Sequence, residues 1–198
     1  MKNIIISTTA INRPKLHLKV FEDWYKLINT LNCKIIHFIN IDCIDKLSST
    51  YEDTVKNFQL IGNKYNIDLQ ILQKKTPNFF ISCLNLSKHI DMYIKINNIN
   101  KDTVSIFWLE DDWICVRNID LKKYMNYFNS NCKLSFDTAI NYAIIRQNYL
   151  WALLPSILGY KRFKEMLDIW TYNYIKNDMK DPENCIGRSY IKKKISTK

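Results

Sequence analysis

Two hydrophobic patterns alternate along the first half of the chain. Short apolar or β-branched runs at residues 4–8, 33–39, 68–72 and 104–109 are typical of buried strands. Between them, at residues 14–31, 48–65 and 77–94, apolar side chains recur every three or four positions with polar residues in the gaps, as in amphipathic helices. The order β-α-β-α-β-α-β predicts a three-layer α/β/α domain with a largely parallel central sheet.

The second half has a less regular pattern. A cap at Asp120 predicts a helix over 121–128, and strand-like pieces follow at 133–140 and 142–145. An apolar run at 150–154 ends at a proline, and residues 162–174 have a helical period. Asp181, Pro182 and Glu183 form an N-cap, a first-turn proline and a first-turn acid, which predicts a last helix. Since no repeat or glycine-rich linker interrupts the 198 residues, we expect one domain over 1–198.

Composition limits the classes of protein to which this chain can belong. The net charge of +10 favours an anionic partner such as phosphate, nucleic acid or a membrane surface, or else a solvated lysine-rich surface. The six cysteines include no C-x-x-C pair and the three histidines stand apart, which argues against a closed zinc site. Neither a signal-peptide core nor a membrane-length apolar run is present in the sequence. We therefore expect a soluble, cytoplasmic protein with mostly buried thiols.

Three consecutive acids follow the strand at 104–109. Glu110, Asp111 and Asp112 repel one another, and burying them unpaired would be unfavourable, so a divalent cation is the usual way to hold such a cluster. Ligands of open α/β sheets bind at the carboxyl ends of central strands. An ordinary acidic turn is the alternative, but Leu109 and Trp113 flank the acids where turns usually have Gly, Pro, Ser or Asn. The pattern favours a cation-dependent ligand site.

This strand and its acids resemble the metal motif of GT-A glycosyltransferases, the nucleotide-diphospho-sugar transferases. Residues 110–112 are similar to the D-x-D motif in its E-D-D form. Residues 7–9 and 12–14 are similar to the opening loop that holds the nucleotide base and ribose in that fold. Small enzymes of this type occur in large DNA viruses, which suits the lysine- and asparagine-rich composition. The resemblance implies the GT-A fold, with a nucleotide-binding part at about 1–113 and an acceptor part at about 114–198.

The implied activity is transfer of a sugar from a nucleoside-diphosphate donor, most simply UDP-sugar, to a hydroxyl of a glycan or protein. Asp112 is the implied ligand of Mn²⁺ or Mg²⁺, with Glu110 as the second. The implied nucleotide-binding residues are Thr8, Thr9, Asn12, Arg13, Glu110 and Asp111. If the backbone stays extended, Glu110 and Asp112 project to one side and Asp111 to the other.

An inverting transferase also needs a carboxylate base for the acceptor hydroxyl. The family often places it at the start of a late helix, so Glu183 is the first candidate and Asp181 the second, although these residues equally form a plain helix start. Asp137, which emerges from the strand at 134–136, is the third candidate. A retaining mechanism would need no such base, and both mechanisms remain open.

Other functions fit less well. A nucleotidyltransferase should have a glycine-rich loop after the first strand, but the three glycines lie at 62, 159 and 187. The main alternative is a non-catalytic basic α/β protein that binds nucleic acid or another anionic partner through its lysines. A transferase of this family should need no nucleic acid and, if viral, should work in the host cytoplasm or virus factory. His17, His37 and His89 are interpreted as structural.

Overall fold

The computed structural model describes residues 3–74, 77–113, 115, 119–126, 132–137, 142–147 and 155–177. Within these ranges, seven strands form one sheet in the order β3-β2-β1-β4-β7-β5-β6. The strands are β1 (Asn3–Ile11), β2 (Lys34–Asp42), β3 (Asp68–Lys74), β4 (Val104–Trp108), β5 (Cys132–Asp137), β6 (Tyr142–Gln147) and β7 (Ser156–Gly159). The helices are α1 (Pro14–Asn29), α2 (Tyr51–Lys64), α3 (Phe79–Ile96), α4 (Leu121–Asn126) and α5 (Tyr160–Asn177).

Four neighbouring strands are parallel. β1 lies between β2 and β4, and β3 lies outside β2, all running in one direction. Ser7 of β1 is level with Phe38 of β2 and with Trp108 of β4. The carboxyl ends of these strands therefore meet at one edge of the sheet, and the residues after β4 emerge there. The predicted α/β fold with a largely parallel central sheet is confirmed.

Three further strands, joined by antiparallel pairings, complete the sheet. β7 pairs antiparallel with β4 and with β5, and β6 pairs antiparallel with β5. The strands at β5 and β6 agree with the predicted strand-like pieces. The sequence pattern missed β7, a fully buried strand of four residues that runs directly into α5. The predicted helix start at 181–183 and the apolar run at 150–154 lie outside the described residues.

Each face of the sheet is covered by helices, which gives the predicted three layers. On one face, α1, α2 and α4 pack through side chains such as Phe21, Phe58 and Leu121. On the other, α3 and α5 pack through side chains such as Ile90 and Trp170. Burial on both faces explains why the parallel strands are almost continuously apolar.

Asparagines end the first three helices. Asn32, Asn66 and Asn98, which follow α1, α2 and α3, have positive φ angles of 51°, 53° and 51°. This left-handed conformation at a helix end usually falls to glycine, with asparagine the next choice. In a chain with three glycines, asparagine takes that position.

The longest helices, α3 and α5, have 18 residues each. Neither these nor the other helices in the described part of the chain combine the length and apolar character that crossing a bilayer requires.

Candidate functional site

A cleft of about 320 Å³ opens at the edge where β1, β2 and β4 end. Its lining residues come from those strand ends and from the start of α3: Thr9, Ala10, Ile11, Asp42, Pro77, Asn78, Phe79, Glu110 and Asp111. The strand order reverses here, because the chain passes from β1 to β2 and β3 on one side and returns with β4 on the other. Open α/β sheets bind ligands at such a reversal, outside the carboxyl ends of the strands.

Asp111 accepts three hydrogen bonds from the beginning of the chain. Its Oδ2 accepts hydrogen bonds from the amide of Ile11 at 3.0 Å and from Nε2 of His17 at 2.9 Å. Its Oδ1 accepts one from Nη2 of Arg13 at 2.7 Å. The three donors come from the end of β1, the following loop and the first turn of α1. The carboxylate thereby joins the end of β4 to the start of α1.

The surroundings of Asp111 keep it ionised. Its side chain is only 8% exposed. Burial raises the pKa of this carboxyl, but the hydrogen bonds from His17 and Ile11 and the positive charge of Arg13 outweigh that effect, so the pKa lies below its usual value. A buried carboxylate with this set of partners is stable as an anion without a metal ion.

Glu110 and Asp112 lie in different surroundings. Glu110 lines the cleft together with the start of α3. Burial raises the pKa of the Cys83 thiol on α3, and the nearby carboxylates of Glu110 and Asp42 raise it further. The side chain of Asp112 is 53% exposed, with Oδ2 3.9 Å from Nη2 of Arg13. The backbone turns at 111–112. The expected alternation along an extended backbone therefore ends at Glu110, and Asp112 lies beside Arg13.

Asp42 is a site residue that the sequence interpretation missed. It is the last residue of β2, is 6% exposed and lines the cleft. It accepts hydrogen bonds from Nδ2 of Asn40 at 2.8 Å, from Oγ of Ser82 at 2.7 Å and from the amide of Asn78 at 3.1 Å. Asn78 in turn caps α3 by accepting from the amide of Ile81. The sequence did carry a signal for Asp42. Asn40 and Asp42 are polar residues at the end of β2, which runs in the same direction as β4, the strand before residues 110–112.

The two predicted threonines have different positions. Thr9 lines the cleft. Thr8 is fully buried, with its Oγ1 2.8 Å from Nε2 of His37, and the other ring nitrogen of His37 lies 2.5 Å from the Tyr25 hydroxyl. Burial, with a smaller effect from nearby His17, holds the pKa of His37 well below its usual value, so this histidine is neutral in the core.

Asn12 and Arg13 are engaged within the protein. The Asn12 side chain donates to the carbonyl oxygens of Ile44 and Ser49, at 3.2 and 2.6 Å, and accepts from the amide of Ile44 at 2.9 Å, which fixes the loop after β2. Arg13 donates to Asp111. Of the residues predicted to bind the nucleotide, Thr9, Glu110 and Asp111 thus line the cleft, whereas Thr8, Asn12 and Arg13 make internal contacts. Nucleotide binding by any of them stays a prediction.

Among the predicted bases, Asp137 is the one within the described residues, and Asp181 and Glu183 lie outside them. Asp137 is the last residue of β5. Trp108 of β4 is level with Ser156 of β7, which is level with Ser135 of β5. Because β5 runs parallel to β4 through the intervening β7, the backbone of Asp137 reaches the edge of the sheet where residues 110–112 emerge. Two strand spacings, roughly 10 Å, separate these two strands.

No group of three or more His, Cys, Asp and Glu side chains in the described ranges is arranged to hold a metal ion. A cation at residues 110–112 would therefore take few ligands from these parts of the protein and would need oxygens from a bound ligand or from water.

No protein-family model matches the sequence, and no curated protein sequence matches it. Among solved structures, the chain is similar to the apo structure of the WbbM bifunctional glycosyltransferase, with a TM-score of 0.47 and 8% identity. The alignment covers 84% of this chain and 34% of that one, so this chain spans about a third of the length of that protein. A likeness at this level concerns only the coarse arrangement of the chain.

Proposed function

We propose that this protein is a metal-dependent glycosyltransferase that moves a sugar from a nucleoside-diphosphate donor, most simply a UDP-sugar, to a hydroxyl acceptor. The observation that carries the proposal is the position of residues 110–112. They follow β4 after the single residue Leu109, at the reversal of strand order, and Glu110 and Asp111 border a cleft at three parallel strand ends and the start of α3. This is where a doubly wound sheet binds a nucleotide, and the acids add the donors of a cation site.

The cleft offers groups suited to a nucleoside. Thr9, near the end of β1, and Asp42, the last residue of β2, are polar lining residues. Phe79 and Pro77 add apolar surface at the start of α3. A few polar groups within a partly apolar lining are typical of small-molecule sites.

Glu110 and Asp112 are the proposed metal ligands. Both supply carboxylate oxygens, the hard donors that Mn²⁺ and Mg²⁺ prefer, and the exposed side chain of Asp112 is accessible from solution. Carboxylate donors of this kind suit a cation that would complete its coordination with diphosphate oxygens and water. Such a cation, when bound, neutralises charge on the diphosphate leaving group.

Transfer breaks the bond between the anomeric carbon and the diphosphate and forms a bond from that carbon to the acceptor oxygen. In an inverting reaction, a carboxylate takes the proton of the acceptor hydroxyl. Asp137 is the proposed base whose backbone lies at the same edge of the sheet as residues 110–112. Glu183 and Asp181 remain the other candidates. A retaining reaction would need none of these bases.

A thermal-shift panel tests the proposal. The protein is heated with each common nucleoside diphosphate and nucleotide sugar, with Mn²⁺, with Mg²⁺ or with EDTA. One nucleotide should raise the melting temperature by about 5–10 °C at a concentration near 100 Kd, and only when the metal is present.

Asp112→Asn should abolish this metal-dependent shift. Asp102→Asn is the matched control, because Asp102 is an exposed acid just before the opposite end of β4. If no nucleotide raises the melting temperature in the presence of either metal, the proposal is wrong. Association with nucleic acid that weakens steeply with salt, without any metal-dependent shift, would instead indicate the basic binding protein.

A further inference from the structure

Asp111, the middle residue of 110–112, accepts hydrogen bonds from a distant part of the sequence. Its three donors within the described residues come from one corner of the fold, at Ile11, Arg13 and His17, between 94 and 100 residues earlier in the chain. Donor–acceptor distances of 2.7 to 3.0 Å give each carboxylate oxygen of Asp111 at least one strong partner. Little of this carboxylate remains for a metal ion or a nucleotide.

His17 is held in the orientation that this contact requires. Its side chain is fully buried, stacked on Phe58 with ring centroids 4.8 Å apart, and edge-on to Phe21 at 6.2 Å. Because an ionised carboxylate only accepts hydrogen bonds, the proton of this contact lies on Nε2 of His17. Nδ1 is buried without a hydrogen-bond partner in the described part of the chain. The packing of the ring therefore directs one specific donor at Asp111.

Arg13 completes the arrangement from the solvent side. Its side chain is 34% exposed, and Nη2 lies 2.7 Å from Asp111 and 3.9 Å from Asp112. A guanidinium bound this tightly to a buried carboxylate is poorly placed to leave it for a diphosphate. Its position beside both carboxylates instead limits how far the turn at 111–112 can move.

We infer that Arg13 and His17 are positioning residues. They fix Asp111 and thereby orient its two neighbours in the sequence, Glu110 and Asp112. Asp111 is then an internal anchor of the acidic segment (residues 110–112) rather than a ligand. The part of this inference that concerns metal and nucleotide rests on the proposed function. The fixing of the segment does not, because it can be measured in the protein alone.

Hydrogen exchange measures the anchor directly. The amide of Ile11 donates to Asp111, and the amide of Leu109 donates to the carbonyl of Ser7 at 3.1 Å, so both amides report on the two strand ends that the anchor joins. His17→Phe keeps an aromatic ring against Phe58 but removes the donor. Exchange at both amides should then rise by at least about tenfold relative to amides of β3.

His37→Phe is the matched control, since His37 is an equally buried histidine whose partners are Tyr25 and Thr8 instead of Asp111. His37→Phe should not raise hydrogen exchange at the amide of Leu109. His17→Gln, whose amide can still donate, should restore exchange to within about threefold of the unmodified protein. If His17→Phe does not fold, Arg13→Met removes the other side-chain donor from a partly exposed position and should loosen the same amides.

The second measurement is the affinity of the protein for Mn²⁺ in the presence of UDP. Electron paramagnetic resonance of the metal, recorded below the melting temperature, measures it. His17→Phe should weaken it by about tenfold, and His17→Gln should recover it. Equal exchange at Leu109 in His17→Phe and His37→Phe would overturn the inference. If the unmodified protein binds no metal–nucleotide pair, the proposed function fails, while the exchange at Leu109 and Ile11 still decides whether the anchor exists.

Discussion

The hydroxyl of Ser82 lies within hydrogen-bonding distance of both carboxylate oxygens of Asp42, at 2.7 and 2.9 Å. This contact connects the buried end of β2 to the first turn of α3 beside the cleft. Ser82→Ala should lower the free energy of unfolding by about 1–3 kcal/mol, because it removes a donor from a buried carboxyl. Urea denaturation measures the change. Ser48→Ala, at an exposed position, should stay within about 0.5 kcal/mol of the unmodified protein.

A pH dependence of stability should arise from His37. Burial holds its pKa well below the usual value in the folded protein, whereas the unfolded chain takes up this proton near pH 6.5. The unfolded state therefore binds more protons as the pH falls, and stability decreases. Between pH 7.5 and 5.5 this one group should lower the free energy of unfolding by an amount on the order of 1 kcal/mol. The lowered pKa of Asp111 has its effect at more acidic pH, below about 3.9, and so outside this window.

Denaturation of the unmodified protein and of His37→Gln at both pH values measures this contribution. The variant should be less stable at each pH, but its loss of stability between pH 7.5 and 5.5 should be smaller, by an amount on the order of 1 kcal/mol. Parallel losses in the two proteins would show that His37 is not the group responsible.

The parallel half of the fold could be predicted from the sequence because each element there has a strong local signature. Buried parallel strands are apolar throughout, and the helices that cover them have an apolar face, so period and length identify both. β7 had no such signature. It is four residues long, directly follows Pro155 and leads straight into α5, so no period could develop within it.

The position of residues 110–112 in the fold was predictable from the sequence, whereas the contacts of their side chains were not. That residues 110–112 follow a central strand is a local fact, and it placed them at the correct edge of the sheet. That Asp111 is bonded by His17, 94 positions away, depends on how α1 packs against the sheet, which no local pattern encodes. Asp42 was missed although it ends a strand of the parallel sheet, and its contact with Ser82, 40 positions later, depends on how α3 packs against the sheet.

Packing of α5 should depend strongly on Trp170. This side chain is fully buried, with its ring 5.0 Å from that of Phe80 and 5.7 Å from that of Phe79 on α3. Trp170→Ala should lower the free energy of unfolding by about 3–5 kcal/mol, since it leaves a large cavity between two helices and the sheet. Tyr172→Ala, two positions along the same helix at a site that is 63% exposed, should change it by less than about 0.5 kcal/mol.

The stability of the protein should depend on which residue follows α3 at position 98. Asn98 is exposed and has φ of 51°, a conformation in which a side chain with a Cβ atom is strained and asparagine is the best tolerated after glycine. Asn98→Ala should be destabilising by about 1 kcal/mol, whereas Asn98→Gly should be neutral or slightly stabilising. Thermal denaturation of the two variants checks this. Equal stability would mean that the helix ends in another conformation.

The choice among the proposed bases can be decided by separating binding from turnover. Asp137→Asn should leave the metal-dependent stabilisation by the nucleotide unchanged, because β5 lies two strands away from β4. If Asp137 takes the acceptor proton, release of the nucleoside diphosphate from the sugar donor should fall by about 10²–10⁴-fold. Asp102→Asn, beyond the opposite end of β4, is the control for loss of one acid. Unchanged release in Asp137→Asn would exclude this residue and leave Asp181, Glu183 or a retaining reaction to be tested in the same assay.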